Sequence, residues 1–208
     1  PWPVEADGQG YSLVRKELNG AGYKASDWKL SASRGGTAFG GPVVLINEIL
    51  SHTDLPQTDV IELYNPSSEP ANIGGWYLTD NFLIPKKYRI PNGTVIPGNG
   101  YWAVNEDNNA DAGAPLNYFG TAFSLSSRGD EVFLFSANDE GLFTGYAHSA
   151  IFRATENGVS IIRYVNGNGK EIFVPQSGPP TLEINRFTAF PDGYPNSTPL
   201  VEKAVISE

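Results

Sequence analysis

Short apolar runs rich in β-branched residues, separated by turn-forming residues, dominate the centre of this sequence and limit the folds open to it. The runs VVLINEIL from Val43 and VIELY from Val60 are bounded by Gly41-Pro42, Asn65-Pro66 and Gly74-Gly75. Runs of this length and composition are typical of strands. Glycine and proline, with 23 and 16 occurrences, interrupt helices along the rest of the chain, and no long stretch has apolar residues at helical spacing. The sequence therefore predicts an all-β protein.

The chain is long enough for one β-sandwich with flanking segments, because about 100–150 residues suffice for such a domain and the chain has 208. Its 4 Trp, 10 Tyr and 11 Phe would supply much of the buried surface. We predict strands at about 43–50, 59–64, 75–79, 87–90, 94–96, 100–105, 121–125, 131–136, 143–147, 159–165 and 171–174. That many short strands suggests two packed sheets.

Charge and cysteine content narrow the classes of partner and chemistry. The net charge of −9 repels phosphate backbones, and the largest basic cluster is Lys86-Lys87 with Arg89. Cysteine is absent, which excludes disulfides, thiolate zinc sites and a thiol nucleophile. No run approaches the ~18 apolar residues of a membrane-spanning helix. We therefore expect neither nucleic acid as a partner nor insertion into a membrane.

Two distant segments of the chain are similar to each other. GYSLVR from Gly10 and GVSIIR from Gly158 are each followed by an Asn-Gly pair. Each predicts a strand and a turn, then an irregular stretch, then a second strand, from Val43 in one case and from Ala204 in the other. A spacing of roughly 150 residues suits a tandem array of whole domains. Chance similarity between two short strands is the alternative.

The array interpretation divides the chain into three parts. Residues 1–40 would be the C-terminal end of a preceding module, residues 41–175 one complete β-sandwich domain, and residues 176–208 a linker and the start of a following module. The chain begins at Pro1 and contains no methionine. We therefore expect it to be a piece of a longer protein.

Four motifs in order carry a resemblance to a known family. They are INEIL from Ile46, DVIELYNPSSEPANIGGWYLTD from Asp59, IPNGTVIPGNGYWAV from Ile90 and LSSRGDEVFLF from Leu125. Over most of residues 43–137 the chain resembles the bacterial lamin tail domain. The resemblance implies an immunoglobulin-like β-sandwich of two antiparallel sheets. It also implies a module of a large secreted or envelope protein, hence an extracellular or cell-envelope location, with neighbouring modules of the same polypeptide as partners.

The resemblance brings no catalytic residues. It matches Glu48 and Glu62 to strand positions and Trp76 to a core aromatic. In a strand, Glu62 points away from its neighbours Ile61 and Leu63, so we expect either an exposed carboxylate or a buried one with its hydrogen bonds satisfied. Glu48 and Glu62 are also the best pair for glycoside hydrolysis, but the sequence has no long insertion that would form a cleft.

The two histidines do not suggest a catalytic triad. His52 and His148 lie close to strand ends, and no Gly-x-Ser-x-Gly nucleophile elbow accompanies either. We expect surface or capping histidines. The sequence therefore predicts a protein that is not an enzyme, with no catalytic residues.

An oxygen-rich loop is the one candidate metal site. Asp107, Asn109 and Asp111 have the spacing of the first three ligands of a calcium loop. Ala112 stands where the tight-turn glycine belongs, and no glutamate closes the loop, so it is not an EF-hand. The favoured interpretation is a solvated acidic loop between two strands, and calcium binding is the alternative hypothesis.

Aromatic residues near this loop are candidates for ligand binding. Trp102 and Tyr118 could stack on sugar rings if strand alternation leaves them at the surface. Arg128-Gly129-Asp130 matches the tripeptide that integrins recognise, but a hairpin turn needs Gly and Asp for conformational reasons alone.

Taken together, the residues and the resemblance predict a non-enzymatic module that acts as a spacer, an anchor or an interaction unit. The alternative is a β-sandwich that binds carbohydrate or protein, stabilised by calcium if the loop binds it, and accessory to a hydrolase.

Overall fold

The fold is all-β, as predicted. The computed structural model describes residues 11–15, 24–34, 41–55, 57–106 and 117–177, together with Ala6, Asn196, Pro199 and Leu200. Within these residues the chain forms strands and short 3-10 turns at Ala25–Asp27 and Gly120–Ala122.

The strands, in chain order, are β1 (Tyr11–Arg15), β2 (Trp28–Arg34), β3 (Leu45–Leu50), β4 (Val60–Tyr64), β5 (Ala71–Asn72), β6 (Tyr77–Thr79), β7 (Tyr88–Arg89), β8 (Val95–Ile96), β9 (Tyr101–Asn105), β10 (Gly129–Ala137), β11 (Phe143–Arg153), β12 (Ile161–Val165) and β13 (Glu171–Pro175). A five-stranded sheet has the order β13-β12-β3-β4-β9, and a four-stranded sheet has the order β11-β10-β6-β7. The pairs β5-β8 and β1-β2 form separate small sheets. All of these pairs are antiparallel.

The core lies between the two larger sheets. Ile61 and Leu63 from the five-stranded sheet share one buried cluster with Val132 and Leu134 from the four-stranded sheet. Trp76, which was matched to a core aromatic, belongs to the same cluster. Burial of these side chains supplies the main force that holds the two sheets together.

Strand alternation decides which side chains of β10 and β11 reach the core. Along β11, exposed and buried residues alternate from Gly145 to Arg153. Tyr146 faces the core and donates a hydrogen bond from its hydroxyl to the carbonyl oxygen of Val44 at 2.5 Å. The odd-numbered residues of β11 therefore cover the outer face of the four-stranded sheet.

A β-bulge interrupts β3. The register with β4 shifts between Ile46 and Glu48, which leaves Asn47 as the extra residue. Ile46 and Ile49 both belong to the core cluster although they are three positions apart. The bulge thus changes the alternation so that Glu48 and Leu50 lie on the sheet face away from the core.

Three predicted elements differ in the structure. Residues 121–125 were predicted as a strand, but Gly120–Ala122 is a 3-10 turn, because Phe119 and Phe123 stack at 4.5 Å between ring centroids and reach the core without strand pairing. The strand β5 was not predicted. The stretch that contains β2 was predicted as irregular, whereas β2 pairs with β1.

The Arg128-Gly129-Asp130 tripeptide spans a turn and the first two residues of β10. The turn is not the predicted hairpin, because residues 121–125 do not form a strand before it. The amide of Gly129 donates to the carbonyl oxygen of Ser126 at 3.1 Å. Its φ is +107°, and a Cβ there would lie 2.8 Å from the carbonyl oxygen of Phe152. Backbone conformation and close packing therefore account for this glycine.

Candidate functional site

The two predicted ligand-binding aromatics lie in different environments. Trp102 is in β9 and only 3 % exposed, as part of the core cluster, so its ring has no free face for a sugar and it is withdrawn as a candidate. Tyr118 is 45 % exposed and forms an isolated bridge with Asn105. Of the two, Tyr118 is the one whose ring a ligand could reach.

The predicted calcium ligands Asp107, Asn109 and Asp111 lie outside the described residues. Within the part of the chain that the structure describes, no group of three or more His, Asp or Glu side chains could hold a metal ion. Calcium binding by the loop stays a prediction.

His148 is buried, which corrects the expectation of a surface or capping histidine. The backbone amide of Ile46 donates to its Nδ1 at 3.1 Å, so the ring proton is on Nε2, which donates to Glu171 at 2.9 Å. Arg163 contacts the other oxygen of Glu171 at 3.1 Å. His52 is half-buried, and its Nδ1 bonds the carbonyl oxygen of Thr155, 103 positions along the chain, at 2.7 Å. Neither histidine is placed as a catalytic base.

Glu62 is buried on the face of the five-stranded sheet that lies away from the core. Its Oε1 accepts a hydrogen bond from Asn47 Nδ2 at 2.7 Å, and its Oε2 has no hydrogen-bond partner among the described residues. Burial raises the pKa of Glu62 to about 8; the bond from Asn47 opposes this shift and the charge of Glu48 adds to it. Burial therefore favours the protonated form of Glu62 at neutral pH.

Glu48, which pairs with Glu62 in the strand register, has its own buried polar partners. Its Oε1 accepts from Ser160 Oγ at 2.5 Å and from Gln176 Nε2 at 2.8 Å. Gln176 also donates to Ser160. Gln176 is the residue directly after β13, so these bonds tie the end of β13 to β3.

Asn196 extends this network to a later part of the chain. The side-chain amides of Asn47 and Asn196 bond each other reciprocally, at 2.9 and 3.1 Å, and Asn196 also donates to the carbonyl oxygen of Arg163 at 3.0 Å. We call the six residues Asn47, Glu48, Glu62, Ser160, Gln176 and Asn196 the polar joint. The backbone adds two further links, a bridge between Gln176 and Pro199 and a bond from the Leu200 amide to the Pro175 carbonyl.

A second feature lies on the outer face of the four-stranded sheet. Phe82 contacts Phe133 and Phe135, at 5.5 and 6.0 Å between ring centroids, and Phe135 contacts Phe143 at 5.6 Å. Ile151 lies on the same face of β11. The loop after β6 lies beside this face, because the hydroxyl of Thr79, which pairs with Phe133 in the register, donates to the carbonyl oxygen of Ile84 at 2.8 Å. We call the seven residues Phe82, Leu83, Ile84, Phe133, Phe135, Phe143 and Ile151 the aromatic face.

Sequence reasoning missed the aromatic face, although a signal was present. In the VFLF run from Val132, the side chains of Val132 and Leu134 fill the core. Strand alternation then requires Phe133 and Phe135 to point outwards. Two phenylalanines at successive outward-facing positions expose more apolar surface than a sheet face in contact with water requires.

The two features differ in chemistry. In the described residues, the polar joint combines two carboxylates with amides and one hydroxyl, and His148 bonds Glu171 instead of a nucleophile. The aromatic face presents apolar side chains. The described part of the chain also contains no helix long and apolar enough to cross a bilayer.

Comparison with known proteins agrees with this architecture. A family model described as Lamin Tail Domain matches residues 37–148. No curated protein and no solved structure matches the chain. The lamin tail domain is a non-catalytic immunoglobulin-like family, and the two antiparallel sheets observed here agree with that fold. Because the match covers more than half of the 208 residues, the chain belongs to the lamin tail domain family.

Proposed function

We propose that this chain is a non-catalytic structural module that spaces or anchors its neighbours in a row of similar modules. The observation that carries the proposal is a pair of similar hairpins. GYSLVR contains β1 and GVSIIR leads into β12, and each of these strands pairs antiparallel with the next strand along the chain, β2 or β13. The sequence similarity between the two segments thus extends to their local structure.

The two hairpins differ in their surroundings. The strand β12 is paired on its other side with β3 in the five-stranded sheet. The hairpin β1-β2 forms a two-stranded sheet of its own, and a lone hairpin is marginally stable in water. We therefore assign β1-β2 to the end of a preceding module, which would supply the strand that β3 supplies to β12.

The polar joint supports a spacing role. A spacer fixes the position of its neighbours only if the chain leaves it in a fixed direction. Gln176 attaches the segment after β13 to β3 by a buried hydrogen bond, and Asn196 does so by a partly buried one. Bonds to buried polar groups are costly to break. For the location we retain the proposal of an extracellular or cell-envelope protein, on the strength of the family resemblance.

Deletion experiments test this division of the chain. Removing residues 1–40 should leave the thermal midpoint of the remaining domain unchanged, because β1-β2 pairs with neither of the larger sheets. The matched deletion of residues 176–208 should lower the midpoint by several degrees, because it removes Gln176 and Asn196. A large loss of stability in the first variant would show that residues 1–40 belong to this domain.

The aromatic face and Tyr118 favour a second function, binding of carbohydrate or protein. A thermal-unfolding screen against calcium, chelator and polysaccharides tests it, since a ligand of the native state raises the midpoint. A shift that Tyr118→Ala removes would assign the ligand to the region around Tyr118. The absence of any shift would leave the spacer as the function.

A further inference from the structure

The aromatic face is a large exposed apolar patch. Phe82, Ile84 and Ile151 are 59 %, 54 % and 70 % exposed. With ~150–200 Å² for each large side chain, the exposed parts of the seven residues come to on the order of 600 Å². The largest apolar patch on a typical monomer is of this order and is often functional.

The shape of this face is a ridge beside a trough. On β10 the outward residues Phe133 and Phe135 form the ridge. In the strand register they stand opposite Ser149 and Ala147 of β11, two small side chains that are exposed. Because β10 and β11 run side by side, ridge and trough are parallel and one strand spacing apart, about 5 Å.

We propose that the aromatic face binds a second copy of the same domain, related by a two-fold axis that runs parallel to β10 and lies between β10 and β11. This operation places β10 of each copy over β11 of the other. The Phe133 and Phe135 ridge of one copy then fills the Ala147 and Ser149 trough of its partner. A two-fold interface of this kind uses the same patch on both copies.

Charge complementarity supports the same arrangement. Glu131 stands opposite Ile151 in the register, and Arg153 stands opposite Gly129, so both charges lie at the same end of the face. The two-fold operation brings Glu131 of each copy over the end of β11 that carries Arg153 of the other copy. Two symmetric ion pairs therefore border the apolar contact.

A second copy fits this face better than a small polar ligand does. Binding sites for such ligands combine apolar walls with convergent polar groups. The phenylalanine rings and small side chains of the aromatic face have one charged neighbour among the described ring contacts, Lys86, whose Nζ lies 5.0 Å from the centroid of Phe143 and donates to the carbonyl oxygen of Gly141. A standard protein interface buries about 800 Å² on each partner. The aromatic face offers somewhat less, so we expect a weak dimer with a dissociation constant in the micromolar range.

Sedimentation velocity over a concentration series of the 208-residue chain tests the proposal. The weight-average mass should rise from the monomer value of 22.5 kDa towards twice that value. Ala147→Arg fills the trough at an exposed position, so it should abolish the rise while leaving the thermal midpoint unchanged. The matched control is Leu55→Arg at a site that is 87 % exposed and outside the aromatic face, which should dimerise like the parent.

A charge exchange distinguishes this geometry from nonspecific association. Glu131→Arg and Arg153→Glu should each weaken the dimer about tenfold or more, and the double variant should restore it. The proposal fails if the mass stays at 22.5 kDa at every concentration, if Ala147→Arg leaves the association intact, or if the double variant is not restored. Stabilisation of a monomer by a polysaccharide that Ala147→Arg removes would instead assign the face to a glycan. None of these outcomes depends on the deletion experiments that test the spacer function.

Discussion

The buried carboxyl of Glu62 gives a pH dependence that can be measured directly. Burial raises its pKa from 4.5 to about 8 in the folded state. Between these values the folded chain holds a proton that the unfolded chain has released, so the free energy of unfolding falls as pH rises. The free energy of unfolding falls by about 1.4 kcal/mol for each pH unit. Over the whole interval the loss is on the order of 5 kcal/mol. The contribution of Glu62 to stability is fully present below pH 4.5 and is lost as the pH rises through about 8.

Glu62→Gln isolates this contribution. Glutamine keeps an oxygen that can accept the bond from Asn47 and cannot ionise. Urea unfolding, followed by tryptophan fluorescence, gives the free energy of unfolding of both proteins. Between pH 6 and 8 this free energy should fall more steeply in the parent than in the variant, by about 1.4 kcal/mol per pH unit. Burial also raises the pKa of Asp59, to about 6, against a hydrogen bond from Thr53 that lowers it, so the pH slope of the parent alone would combine two carboxyl groups.

One result of the comparison between parent and variant would contradict the assignment of Glu62 as a buried, protonated carboxyl. Asp59 is present in both, so its titration cancels in the difference. Identical pH slopes for the parent and Glu62→Gln would mean that water solvates Glu62 in the folded state. The account of a buried, protonated carboxyl in the polar joint would then be wrong.

Three further substitutions test the packing. Leu134→Ala empties a fully buried core position and should cost about 2–5 kcal/mol in chemical denaturation. Asn196→Ala removes the reciprocal amide pair and should cost about 1–3 kcal/mol, and an effect below a few tenths would show that residue 196 is not held against the sheet. Gly98→Ala would drive a Cβ into the backbone of Ser68 and should lower the thermal midpoint, whereas Gly167→Ala, with nothing within 4 Å of the added carbon, should not.

Local sequence patterns predicted the strands that form the centre of the fold. The apolar runs of β3 and β4 are buried on both faces over most of their length, and that makes them recognisable without tertiary information. The boundaries were less predictable. Residues 121–125 look like a strand because Phe123 and Leu125 alternate, yet they reach the core from a turn.

The sites were harder to predict because they depend on contacts between distant residues. Glu62 is buried in a network that includes Asn47, whose own partner Asn196 is 149 positions away, and no local pattern contains that information. Trp102 was a candidate for ligand binding on condition that it lay at the surface, but it faces the core and pairs with Leu63 in the register. In both cases the decisive fact is which face of the strand is covered, and only the assembled sheets determine it.

The strand order β13-β12-β3 determines how the domain responds to a stretching force. Ile161 of β12 stands opposite both Ile49 of β3 and Pro175 of β13, so β13 ends at the level where β3 ends. Leu45, where the chain enters β3, therefore lies at the opposite end of the sheet from Pro175. A pull between these two points acts along the strands and loads the ladder hydrogen bonds together, instead of opening them one after another. The domain should therefore resist stretching far better than its modest size suggests.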